Sequence, residues 1–64
     1  MTKIEKAKFS QAIKRYREEN ELTQQELARK LLTTETTIAR WESGMSTPKN
    51  ERMIEGIRKL GIDW

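Results

Sequence analysis

The sequence predicts an all-α fold, a compact domain of four to five short helices with two of them joined by a tight turn near the middle of the chain. Three observations carry this. Apolar residues recur at offsets of three and four, the spacing of one helix face. Helix-start signals precede three of these runs. The three glycines and the single proline fall mostly between the runs, where they punctuate helices instead of forming linkers.

In the first helix Phe9, Ala12, Ile13 and Tyr16 share a face, and the pattern ends near Asn20. Ile4 and Ala7 fall on roughly the opposite side of that wheel. Two options stay open: residues 1–8 form a separate segment, or Thr2 and Glu5 cap the same helix in a reciprocal box. The second helix starts at Thr23-Gln24-Gln25-Glu26, a T-x-x-E capping box, and turns Leu27, Ala28 and Leu31 inward. Leu32-Thr33-Thr34 breaks the pattern. A third helix follows, with Thr34 as N-cap and Ile38 and Trp41 inward, about two turns long.

Gly44 is expected to stop that helix in the left-handed conformation. The fourth helix is expected to begin at Pro48 after the cap Thr47, and to turn Met53, Ile54, Ile57 and Leu60 inward. Gly56 in its middle destabilises it by about 1 kcal/mol relative to alanine, which suggests a close backbone approach to a neighbouring helix. Gly61 ends it, and Ile62-Asp63-Trp64 forms a short tail. Ile62 and Trp64 read most simply as a lid on the core, the alternative being an exposed patch between two copies.

Size and composition bound the function. With 64 residues, 34% of them hydrophobic and 36% charged, the chain has room for one small core and none for a substrate cleft. It has no cysteine and no histidine, which excludes disulfides, zinc ribbons, thiolate nucleophiles and imidazole acid-base chemistry together. No enzymatic activity, metal, cofactor or small-molecule ligand is expected. Neither a membrane span nor a secretory hydrophobic region is evident, so the expected location is cytoplasmic. Thirteen basic residues against ten acids leave a net charge of +3, which favours a polyanionic partner.

The segment from Gln24 to Ser43 reads as a helix-turn-helix, two short helices that cross steeply. Together with Arg17 upstream and Gly44-Met45-Ser46-Thr47-Pro48 downstream, it resembles the XRE-type helix-turn-helix family, which includes the lambdoid phage repressors and Cro proteins. The resemblance covers about Phe9 to Ile62. It implies a repressor-like domain over residues 1–64 whose second motif helix enters the major groove of double-stranded DNA while the first touches the backbone. It also implies a regulator working at the nucleoid, in the setting of a phage or another mobile element. A homodimer, at least on DNA, would bind a pseudo-palindromic operator.

Residue by residue, the resemblance places Glu35, Thr36 and Arg40 at base edges and Gln24 at a phosphate. Arg40 is the first choice for base reading, because a guanidinium donates two hydrogen bonds to guanine O6 and N7. Glu35 either accepts from cytosine N4 or only stabilises the helix dipole, with the two readings evenly matched. Thr36 contacts a thymine methyl or a phosphate, or is merely exposed. Gln24 stands at a helix N-terminus, whose N–H groups attract a phosphate oxygen. Thr34, Thr37, Ser43 and Lys49 are further phosphate candidates, against the plainer reading of solvated surface groups.

Arg17 and Glu42 match positions that form a structural ion pair in phage repressors. Leu32 stands where the family commonly has glycine at positive φ, a conformation that strains a branched residue by about 1–2 kcal/mol. In the family a further helix commonly follows the position of Trp64 and contributes to dimerisation. Lys3, Lys6 and Lys8 make the first eight residues either a basic arm on DNA or a solvated terminus. Two other functions fit the same features: an antitoxin that represses its own promoter while holding a toxin, and a protein-interaction module that has kept the fold without DNA binding.

Overall fold

The computed structural model describes residues 5–64 and contains four helices: α1 Lys6–Glu19, α2 Gln24–Lys30, α3 Glu35–Ser43 and α4 Glu51–Lys59. No strand and no fifth helix occurs among the described residues. The core is assembled from all four helices and the tail. Phe9 and Ile13 of α1, Leu27 and Ala28 of α2, Ile38 and Trp41 of α3 and Ile57 of α4 are buried together with Leu31 and Ile62. Ala12, Tyr16, Leu22, Met53, Leu60 and Trp64 pack around them half-buried.

α2 and α3 start as their cap residues dictate. Thr23 Oγ1 accepts from Glu26 N at 3.1 Å while Glu26 Oε1 accepts from Thr23 N at 2.8 Å, so two donors that the helix leaves without a partner are satisfied at once. Thr34 Oγ1 accepts from Thr37 N at 3.3 Å. α1 begins without such help: Glu5 is extended (φ −81°, ψ 120°) and makes no side-chain cap. Glu5 therefore stands at the N-cap position itself, and the expected box with Thr2 lies outside the described residues. Lys6, Ala7 and Lys8 are the first turn of α1, with Ala7 exposed, so those three residues are not a separate segment.

α4 starts three residues later than expected. Its N-cap is Asn50, whose Oδ1 accepts from Arg52 N at 2.8 Å, and Glu51 adds a carboxylate to the first turn. Pro48 is buried in the preceding loop instead of opening the helix. Burial of its ring fixes the loop, and Asn50 is the next residue able to cap. The inward face of α4 is also narrower than expected. Met53, Ile57 and Leu60 pack on the core, whereas Ile54, one residue round the wheel, is half-buried without joining it.

All four helices stop in the same way. A left-handed residue follows each last turn: Glu21 (φ 53°), Leu32 (φ 57°), Gly44 (φ 80°) and Gly61 (φ 88°). After α2, Thr33 N donates to Ala28 O at 2.8 Å and Leu32 N to Arg29 O at 3.2 Å, the paired bonds of a Schellman stop. The same pairing closes α1 through Leu22 and Glu21. Leucine at position 32 thus keeps the left-handed turn in spite of its branched side chain.

The expected close approach at Gly56 is absent. A Cβ there would meet only Leu31 Cδ2, at 3.9 Å, an ordinary contact. The side chains of Trp64 and Ile62 form the lid: Ile62 is buried, and Trp64 sets its ring edge-on to Phe9 at 5.1 Å with the Arg58 guanidinium 5.3 Å from its centroid.

Two predictions follow from these local energies. Leu32→Gly should stabilise the fold by about 1–2 kcal/mol by relieving the left-handed strain, and Gly56→Ala by up to about 1 kcal/mol, both read as a rise in Tm. The second concerns pH. The Glu26 carboxyl is held below its ordinary pKa by the Thr23 N–H and then the Thr23 hydroxyl. Because the folded value is the lower one, its stabilisation is complete above the ordinary carboxyl range and is lost as the pH falls through the folded value. Glu26→Gln should therefore flatten the acid limb of the stability profile, measured by urea unfolding across that range.

Candidate nucleic-acid interface

α3 has two faces with different chemistry. Ile38 and Trp41 are buried, which turns Glu35, Thr36, Arg40 and Ser43 out to solvent. By the helical period Thr36, Arg40 and Ser43 form one stripe, with Glu35 in the first turn beside it. The exposed face therefore offers a guanidinium, a carboxylate and two hydroxyls on a rigid element.

What makes it rigid is the packing of adjacent residues against α1. Trp41 meets Phe9 edge-on, ring centroids 5.4 Å apart and planes at 73°. Glu42, 9% exposed, receives Arg17 through both oxygens: Nε donates to Oε2 at 2.6 Å and Nη2 to Oε1 at 3.0 Å. Arg17 also donates from Nη1 to the Leu22 carbonyl at 3.1 Å, which ties the α1–α2 loop into the same arrangement. The bond to Glu42 raises the Arg17 pKa above its ordinary value. Ser10 Oγ donates to the Glu42 backbone carbonyl as well. No spacing rule connects residue 10 to residue 42, and Ser10 was not among the residues the sequence singled out.

Gln24, the first residue of α2, is half-buried and directs Nε2 to Glu42 Oε1 at 3.4 Å. A carboxylate accepts only, so the amide must present its NH₂ here, which leaves one N–H free to donate elsewhere. Thr34 and Thr37 place their hydroxyls 2.9 Å apart, so one hydroxyl proton is shared internally and one remains. Ser43 donates its hydroxyl to Arg40 O at 2.9 Å, which leaves only lone pairs outward, whereas a phosphate needs a donor. Lys49 is exposed in the loop before α4. The structure thus gathers Gln24, Arg17 and Glu42 at one end of α3. Glu35, Thr36 and Arg40 stand on its open face.

The helix-turn-helix family pattern matches residues 13–64, from the middle of α1 through the tail. The chain belongs to the XRE-type helix-turn-helix family. Comparison with curated proteins and with solved structures returned no match. The family is one of DNA-binding regulators, and within the matched stretch α2 and α3 are consecutive helices with the left-handed Leu32 in the turn between them. No helix among its described residues is long and apolar enough to cross a membrane.

The Arg17–Glu42 pair is mostly out of water, so removal of one partner strands the other charge. Arg17→Ala should destabilise the domain by about 3 kcal/mol, the lower end of the range for buried pairs, because a fifth of the Arg17 side chain remains exposed. Thermal melting without DNA measures this, and an unchanged Tm would show that the pair does not hold α3.

Proposed function

We propose that this protein is a sequence-specific transcription regulator of the Cro-like or repressor-like kind, which places α3 in the major groove of its operator. One observation carries the reading: α3 presents Glu35, Thr36 and Arg40 to solvent while its opposite face and its last turn are fastened to α1 and α2. A reading element needs this combination, since base-edge hydrogen bonds discriminate only if the donor cannot shift to suit another base.

In this reading Arg40 donates two N–H bonds, one to O6 and one to N7 of a guanine. Thr36 and Glu35 contact neighbouring bases. Gln24 gives its remaining N–H to a phosphate and so sets the register of the protein on the duplex, joined by the free hydroxyl of the Thr34–Thr37 pair and by Lys49. Ser43 joins them only after its hydroxyl turns away from Arg40 O. Residues 1–64 act as one domain, paired as a homodimer on a pseudo-palindromic site with half-sites about 34–36 Å apart. Occupation of such a site beside a promoter blocks or redirects transcription.

Selection of bound duplexes from a random pool tests the reading directly, since a symmetric consensus is expected. Mobility shifts on the selected site should then divide the roles. Arg40→Ala removes discrimination at one base pair, by about 1–3 kcal/mol, whereas Gln24→Ala weakens all sequences alike. Equal losses from both substitutions on every variant site would contradict this division. Absence of salt-dependent binding to any duplex would overturn the function itself.

A further inference from the structure

Two residues in this chain are ones the fold does not ask for, and both border the same groove. Leu32 takes a left-handed turn position at φ 57°, where its side chain is strained, and is nevertheless 91% exposed. Gly56 interrupts α4, although there is room for a Cβ beside it. In the free chain neither gains a contact that offsets its destabilising effect.

The groove between the end of α2 and the start of α4 has an apolar floor of Leu31 and Met53, widened by the missing side chain of Gly56 and walled by Leu32. Lys30 and Arg52 stand on its rim with Asn50, and no carboxylate lines it. Its volume is about 270 Å³, below the roughly 300–1,000 Å³ of small-molecule pockets and suited to a side chain or two of a larger partner. No residue of α3 lines it.

We propose that this groove docks an acidic segment of a partner protein, which inserts an apolar side chain beside Leu32 and over Gly56 while its carboxylates meet Lys30 and Arg52. Charge complementarity selects this occupant. A duplex would satisfy the two cations but brings no side chain for the apolar floor. A second copy with its two-fold axis through this groove would set Lys30 and Arg52 against their own equivalents. The inference stands apart from the reading of α3 and does not require it.

The test uses the full chain, labelled with ¹⁵N and titrated with three synthetic peptides: a leucine flanked by aspartates and glutamates, the same peptide with lysines for the acids, and the acidic peptide with serine for the leucine. The first is expected to shift the amides of residues 30–32 and 50–56, and the other two to bind at least about tenfold more weakly. Leu32→Gly, which relieves strain and so keeps the fold, should weaken the acidic peptide about tenfold. Arg52→Glu should do likewise and restore binding of the lysine peptide. No binding, shifts at other residues, or equal binding of all three peptides would overturn the proposal. So would two other results. Concentration-dependent shifts of the same amides without peptide would assign the groove to a second copy, and duplex-induced shifts there, lost in Arg52→Glu, would assign it to phosphate.

Discussion

The attachment of the last turn of α3 to α1 is the constraint on which the rest of this molecule depends. Two consecutive residues make it by different physics. Trp41 contributes an apolar, edge-on contact with Phe9, which is strong but tolerant of small rotations. Glu42 contributes a two-point ion pair with Arg17, which fixes orientation because a planar guanidinium and a carboxylate fit in few arrangements. Apolar burial holds α3 in place and the ion pair sets its angle. The Leu22 carbonyl joins this ion pair at Arg17 and the Gln24 amide at Glu42, so α1, the loop after it and the start of α2 share a single reference point.

A chain this small has little apolar surface to spend on anything else. Among the described residues nine buried apolar side chains make the core, so the helices must be short and end abruptly if each is to present its few inward residues to the others. The repeated left-handed stop meets that requirement after every helix. It redirects the backbone while satisfying carbonyls that would otherwise lack partners. Two of the four stops use residues other than glycine, which means that the tertiary packing is strong enough to impose the turn on a glutamate and a leucine.

Much of this was legible in the sequence where the determining physics is local. Thr23 with Glu26, and Thr34, announce the starts of α2 and α3 because a cap acts over three residues. Phe9, Ile13, Leu27, Ile38, Trp41 and Ile57 announce the core through their period. The start of α4 departs from its local signal: Thr47-Pro48 is a valid start in isolation, but Pro48 is buried in the loop and Asn50 caps the helix. Gly56 misled for a related reason: a missing side chain looks alike whether it admits a neighbouring helix or leaves space. The left-handed Glu21 gave no signal. The Gln24–Glu42 contact spans 18 residues, beyond the range of any local pattern.

Phe9 is the ring on which both tryptophans of the chain lean, Trp41 from α3 and Trp64 from the tail, each edge-on. Intrinsic fluorescence is therefore a single optical readout of how that ring is seated. The open face of α3, with Glu35, Thr36 and Arg40, contains no aromatic group. A variant altered only on that face should keep the parent emission spectrum and a variant altered in the core should not, so one cuvette measurement sorts a change confined to the surface from loss of structure.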